Sequence, residues 1–266
     1  MSQIASTSAN IIELRGIKQT YDEGKTVIIN DLDFVVVDKP AQGQFAILLG
    51  MSGCGKSTLL RYIAGLQKPT EGTVLIKGQP VGPENRASMV FQEYSSLPWM
   101  TVLDNVALSL QYKGVDRKER TEKAMEMIEM VGLKGHEQKY AQYPTLSGGQ
   151  LQRVAIARSL LANSEILLMD EPFGALDIMT RLQMQELVAN IWDKFHSTII
   201  FVTHDISEAV FLGDEIFIMK SPPSKIVDKI EVDLPLHRTW EMKRDKNFLD
   251  IVHKVEDAMV KVSDLK

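Results

Sequence analysis

A single cysteine, Cys54, stands in a chain of 266 residues, which excludes an internal disulfide and matches a reducing compartment. Long hydrophobic runs are missing as well. The apolar runs are short, such as 34–37, 166–169 and 199–202, and fall far short of the roughly 20 residues that cross a bilayer. The opening stretch, MSQIASTSANIIELRG, has no basic n-region and no long apolar segment, so it does not read as a secretory signal and the protein is expected to stay in the cytosol. There is no excess of basic charge: the net charge of −5 argues against a broad nucleic-acid footprint, and no nucleic-acid partner is expected. Repeats of solenoid period and low-complexity tracts are also lacking. What remains is an ordinary globular composition, 44% hydrophobic and 24% charged with 17 Gly and 10 Pro. A chain this long buries roughly 70–75% of its extended surface, enough for a core without staples.

Short β-rich runs at 11–14, 27–37 and 45–49 are separated by Gly, Asp and Pro and read as strands with tight turns. The run at 45–49, FAILL, is apolar throughout, the mark of a strand covered on both faces in a parallel α/β sheet. The glycine-rich stretch 50–58 follows it. Then comes a helix with Leu59, Leu60, Ile63, Ala64 and Leu66 on one face. Further strands are expected at 69–78 and 89–91. From 101 to 133 the pattern is helical, with Ala124, Met127, Ile128 and Val131 at i, i+3, i+4 and i+7. Met125, Met127 and Met130 there read as packing material. The α/β rhythm returns with helices at 150–162, 180–195 and 207–213 and strands at 165–169, 198–202 and 215–219. Past Pro222 and Pro223 the tail is charged, and its last helix carries Phe248, Val252, Val255, Met259 and Val262 in a stripe of about two heptads, too few for a coiled coil.

Residues 50–57, GMSGCGKS, match G-x-x-x-x-G-K-[ST]. In such a loop the glycines let successive backbone N–H groups face phosphate oxygens, the lysine, here Lys56, reaches the β- and γ-phosphates, and the hydroxyl, here Ser57, ligates Mg²⁺. The strand before it and the apolar-faced helix after it supply the context this motif needs. Cys54 occupies a variable loop position and reads as a small residue near a helix start, with no basic or resolving partner to make it reactive. At 165–171, EILLMDE, an apolar strand ends in two adjacent acids. Asp170 is assigned to the metal and Glu171 to the general base that orients water. A second helix start, LSGGQ at 146–150, offers free N–H groups, a hydroxyl and the positive end of a helix dipole, but no lysine. By itself it reads better as an ordinary N-cap by Ser147 with flexible glycines.

Taken in order, these segments resemble the ATP-binding cassette (ABC) ATPases over about residues 11–220. The resemblance rests on Tyr21, the loop 50–58, Gln92 after a strand, LSGGQ at 146–150, the Asp170–Glu171 pair, Gly174-Ala175-Leu176-Asp177, and Thr203-His204-Asp205. It implies an α/β fold: a P-loop NTPase (RecA-like) core with an antiparallel β subdomain and an inserted α-helical subdomain at about 95–155. The cassette would span 11–224, with a C-terminal extension at 225–266. The resemblance also implies a head-to-tail homodimer that sandwiches ATP and Mg²⁺. Gly50, Met51, Ser52, Gly53, Cys54, Gly55, Lys56, Ser57 and Thr58 of one copy would bind the phosphates, and Ser147, Gly148, Gly149 and Gln150 of the other would complete the site. Tyr21 would stack on adenine and Gln92 would touch Mg²⁺ together with Ser57 and Asp170. Asp177 would align the two sites, and His204 would contact the γ-phosphate beside Glu171 and Lys56.

A narrower resemblance lies in 91–106, FQEYSSLPWMTVLDNV, and in EPFGALD at 171–177, both similar to the nitrate, sulfonate and taurine importer branch. Transmembrane permease subunits, and through them a solute-binding protein, are the implied partners. The Leu97-Pro98-Trp99 turn reads either as part of a groove for a short permease helix or as packing of the insert onto the core. The sequence departs from the family at 38–44, where DKPAQGQ is longer than the usual turn and has Gln44 where an acid is common. The tail at 225–266 is expected to pack on its own core or on its partner's. A chromosome or repair ATPase is disfavoured because no sustained heptads lie between Thr58 and Leu146, and a translation factor because such chains carry two cassettes. An ATPase of lipoprotein export or cell-division signalling stays open as the alternative to an importer.

Overall fold

The computed structural model of the chain describes residues 10–39, 43–162, 165–220 and 223–264. Strands β1 (Asn10–Tyr21) and β2 (Thr26–Val37) pair antiparallel, and β3 (Gln44–Gly50) runs into helix α1 (Lys56–Ile63). Strands β4 (Glu71–Ile76) and β5 (Gln79–Pro80) return to β1, giving a four-stranded antiparallel sheet in the order β2-β1-β4-β5. After β6 (Ser88–Val90) come the inserted helices α2 (Val102–Tyr112) and α3 (Arg117–Met130), then α4 (Gly148–Leu161). The chain continues through β7 (Ile166–Asp170), α5 (Ile178–Phe195), β8 (Thr198–Thr203), α6 (Ile206–Leu212), β9 (Glu215–Lys220), β10 (Lys225–Glu231) and α7 (Lys246–Asp264). The second sheet has the order β10-β9-β3-β8-β7-β6. All its neighbours are parallel except β10 on β9.

The continuous apolar strands have both faces covered, as their composition requires. Along β3, Phe45, Ile47 and Leu49 face a core shared with α2 to α7, while Ala46 and Leu48 face α1 and the antiparallel sheet. The same alternation sends Leu167, Met169, Ile199 and Phe201 one way and Leu168, Ile200 and Val202 the other. Helix α1 is thus held between two sheets, which fixes the loop that precedes it. Register does the rest: Leu49 lies opposite Thr203, Gly50 opposite Met219, and Asp170 opposite Val202. The carboxyl ends of β3, β7 and β8 therefore finish along one rim, where open α/β sheets bind ligands.

Several elements differ from the sequence expectation. The strand expected at 11–14 runs on to Tyr21, through a bulged stretch containing Gly16 at φ 56. The helical stretch at 101–133 is two helices, because Gly114 at φ 72 ends the first and Asp116 caps the second by accepting from the Lys118 N–H. The strand at 89–91 stops at Val90, leaving Phe91 exposed. The C-terminal segment opens with β10, which adds an antiparallel edge to the core sheet. Of the 38–44 turn, residues 40–42 lie outside the described residues, as do most of the opening stretch and Pro222.

The tail packs on its own core. Phe248 and Val255 are fully buried there, with Val252, Met259 and Val262 against the same cluster. Buried Arg238 adds a polar tie, donating to the Gly213 carbonyl and lying 3.5 Å from Asp214, whose carboxylate accepts the Phe45 N–H.

Candidate active site

The phosphate loop is shaped by glycine. Gly53 and Gly55 sit at φ 80 and φ 92, where side chains are strained, and a Cβ on Gly50 would come within 2.7 Å of the Met219 carbonyl. Gly55 precedes α1 without any side-chain cap, so no capping side chain stands between the positive dipole end of that helix and an anion. Lys56 is buried and folds back, donating to the carbonyls of Gly50 (2.8 Å) and Met51 (3.0 Å). Cys54 lies buried under the loop, and burial pushes its thiol up from the ordinary value. It fills space beneath the loop, and, contrary to the expectation of no basic partner, the Lys56 ammonium lies 3.9 Å from its sulfur.

Three strand ends converge on this loop. Asp170, the last residue of β7, accepts from the Ser57 hydroxyl at 2.8 Å. Burial pushes its carboxyl up; the Ser57 hydrogen bond, Arg61 and Lys56 pull the other way. Glu171 follows at φ 42, a strained conformation for a residue with a side chain, held by its N–H donating to Val202 and by its carbonyl accepting from Gly174. That bend directs one carboxylate oxygen to within 3.9 Å of the Lys56 ammonium and the other to 3.1 Å from His204 Nδ1. His204 directly follows β8 and is exposed. A carboxylate, an imidazole, an ammonium and a hydroxyl–carboxylate pair thus share one rim.

Magnesium fits this donor set. Among the described residues no cluster of three His, Cys, Asp or Glu side chains forms an all-protein metal cage. A hydroxyl beside one carboxylate is instead the partial set with which Mg²⁺ takes its other ligands from phosphate and water. Gln92 is exposed just after β6, with its amide beside Gly174 in the turn that follows Glu171. Tyr21, about half exposed at the end of β1, lines an open cleft with Lys18, Val27 and Thr70.

The second helix start is built differently. Ser147 accepts from the Gln150 N–H at 3.3 Å while the Gln150 carboxamide accepts from the Ser147 N–H at 2.9 Å, a reciprocal capping box. No hydrogen bond among the described residues ties 147–150 to the phosphate loop; Gln150 instead meets His136 at 3.1 Å. A Cβ on Gly148 would run into the Tyr94 hydroxyl, and one on Gly149 into the Thr180 methyl. Thr180 is itself clamped by Asp177, the N-cap of α5, through its N–H (3.0 Å) and hydroxyl (2.6 Å). Asp177 therefore reaches the start of α4 through Thr180. Tyr94, Thr180 and His136 escaped the sequence reading, since only the fold brings them there.

Between β6 and α2 the chain makes a rigid display. The buried Asn105 side chain accepts from the Leu97 N–H and donates to the carbonyls of Leu97, Met100 and Thr101. Trp99 projects from the turn so formed, 70% exposed, so it does not pack the insert onto the core. Arg158 of α4 donates to the carbonyl and hydroxyl of Ser95, which joins this display to the signature helix.

The chain is similar to several known proteins. A family model described as "ABC transporter" matches residues 38–174. The chain is 46% identical over 224 residues to the nitrate import ATP-binding protein NrtD of Synechocystis sp., covering 82% of this chain and 84% of that one. It is 48% identical over 212 residues to the taurine import ATP-binding protein TauB of Rhizobium johnstonii, covering 79% of each. Among solved structures, a dimeric post-hydrolysis state of the ATP-binding cassette MJ0796 bound to ADP and Pi superposes with a TM-score of 0.71 at 30% identity, over 84% of this chain and all of that one.

Proposed function

The chain belongs to the ABC transporter family, and from that premise we propose that it drives an importer as a head-to-tail homodimer docked on permease subunits, at the cytoplasmic face of a membrane. It binds nucleotide and hydrolyses ATP. One observation carries the reading: Lys56, Ser57, Asp170, Glu171 and His204 meet on one rim, while the signature start at 147–150 is capped and packed apart from them. A second copy would bring its own 147–150 to face this rim. The similarity to nitrate and taurine import ATP-binding proteins supports a small solute such as nitrate, a sulfonate or taurine, delivered by a solute-binding protein. No helix among the described residues is long and apolar enough to cross a membrane, so contact with the permease falls to surface features, and the exposed Trp99 turn is the best-built of these. Residues 11–224 form the ATPase domain with its helical insert at about 95–155, and 225–266 form an extension that completes the same sheet and core.

In this reading the loop amides of 50–58 and the Lys56 ammonium take the β- and γ-phosphates. The phosphates replace the Gly50 and Met51 carbonyls as acceptors and give stronger, charge-assisted hydrogen bonds. Ser57 and Asp170, with Gln92, would hold Mg²⁺, which when bound neutralises charge on the phosphate oxygens. Glu171 accepts a proton from the attacking water as its oxygen bonds to the γ-phosphorus and the bond to the β–γ bridging oxygen breaks. His204 keeps the Glu171 carboxylate turned toward that water. Most of the rate comes from position and electrostatics. Glu171→Gln is expected to lower kcat about 10²–10⁴-fold while ATP still binds and stabilises the dimer, measured by phosphate release and by sedimentation with ATP. Hydrolysis at the wild-type rate would remove the assignment.

A further inference from the structure

We infer that Lys243, which lies in the 3₁₀ turn Trp240–Arg244 just before α7, is a positioning residue for His204. The connection is a buried chain of hydrogen bonds. The Lys243 ammonium donates to Gln185 Oε1 on α5 at 2.7 Å, and Gln185 Nε2 donates to Glu208 Oε1 on α6 at 3.0 Å. The other Glu208 oxygen accepts from the Thr203 hydroxyl at 2.7 Å. That hydroxyl oxygen accepts the Asp205 N–H at 3.0 Å, and the Asp205 carboxylate accepts the Glu208 N–H at 3.0 Å. Gln185, Thr203 and Glu208 are all buried. Both neighbours of His204 are therefore fixed by the network, although His204 itself is exposed and makes none of these bonds.

The chain has a direction, and Lys243 fixes it at one end as Glu208 does at the other. An ammonium only donates, so the Gln185 oxygen must face it and the Gln185 amide must face Glu208. One Glu208 oxygen accepts from the Gln185 amide and the other from the Thr203 hydroxyl, which leaves that hydroxyl oxygen free to accept from Asp205. Without the ammonium, the buried Gln185 oxygen loses its donor and the carboxamide is held only at its other end, by the bond to Glu208. The other charged groups facing the network are Arg181, whose Nε lies 4.0 Å from Glu208, and Asp205; neither touches the Gln185 oxygen. The Lys243 ammonium also stands 4.7 Å from the centre of the Phe211 ring, which holds it in place. The extension beyond the cassette thereby reaches the catalytic rim without touching it.

This inference rests on His204 belonging to the hydrolytic site. The experiment compares the full-length chain with Lys243→Met, which keeps the aliphatic stem and removes the charge, Lys243→Arg, which restores a donor, and His204→Ala. The readouts are kcat and KM for MgATP, thermal melting, and the imidazole resonances of His204, assigned by their loss in His204→Ala. Lys243→Met is expected to lower kcat about tenfold, since small misplacements of reacting groups are costly, with KM within about twofold and the His204 resonances shifted. Lys243→Arg is expected to restore both. Unchanged kcat and resonances in Lys243→Met, or a kcat loss with unmoved resonances and no rescue by arginine, overturns the inference while leaving the site reading intact. Wild-type hydrolysis by His204→Ala overturns both. Should Lys243→Met fail to fold, Gln185→Met severs the same chain one link further on and carries the same expectation.

Discussion

The chain has two glycine-bearing helix starts, and they are opposites. At α1 the preceding residue, Gly55, offers no cap, the loop is bent by two positive-φ glycines, and a lysine waits inside it bonded to backbone carbonyls. At α4 the start is closed by a reciprocal capping box, and its glycines are backed by Tyr94 and Thr180. No lysine stands in 146–150. The first start leaves its donors for a ligand to satisfy, so it is a cradle; the second satisfies part of its own donors and presents a flat dipole end. Under the proposed function the contrast is a division of labour: affinity would belong to the α1 start, whereas the α4 start would act only on a phosphate that something else already holds.

The sharpest way to break this division is Gly148→Glu. A carboxylate at the α4 start would occupy the place of an incoming phosphate and push against Tyr94. Hydrolysis is expected to fall about 10²–10³-fold, as when a transition-state donor is lost, while a single chain binds ATP within about twofold of wild type. Parallel measurement of turnover and equilibrium binding checks it, and a matching loss of binding would merge the two starts into one function. Lys56→Ala should show the reverse signature. Removing charge-assisted bonds worth about 1.5–3 kcal/mol is expected to weaken ATP binding roughly 10–100-fold at the level of the single chain, by titration calorimetry.

The α1 start was legible in the sequence because everything it needs is contiguous: strand, glycines, lysine and hydroxyl follow one another within 45–58. The Asp170–Glu171 pair was legible for the same reason, with the apolar strand announcing where it ends. The α4 start was legible as a motif, but its surroundings were not. Tyr94 and Thr180 lie far from Gly148 and Gly149 in sequence, and no periodicity connects them. The network from Lys243 to Thr203 joins residues 58, 23 and 5 positions apart, through side chains that singly look like solvated surface. Edge strand β10 was hidden too. Its sequence, KIVDKIE, is half charged because one of its sides is open to water. Gly16 and the bulges masked the length of β1, whereas the tail stripe showed which residues are buried but not what they are buried against.

The smallest effect tests the caps themselves. Ser147→Ala removes the oxygen that accepts from Gln150 and should cost about 0.5–2 kcal/mol of stability, a melting shift of roughly 2–4 °C per kcal/mol for a domain of this size. The equivalent gain is not available at α1. A serine at Gly55 would meet two obstacles: a capping residue needs an extended backbone, and Gly55 sits at φ 92 with the Ser224 hydroxyl 3.0 Å from where a Cβ would go. Gly55→Ser is therefore expected to destabilise the chain by about 1 kcal/mol or more rather than cap its helix. Denaturant titration of the two variants without nucleotide decides the matter. If Gly55→Ser stabilised the protein, the open α1 start would be an accident of composition, and the distinction between cradle and cap would lose its physical basis.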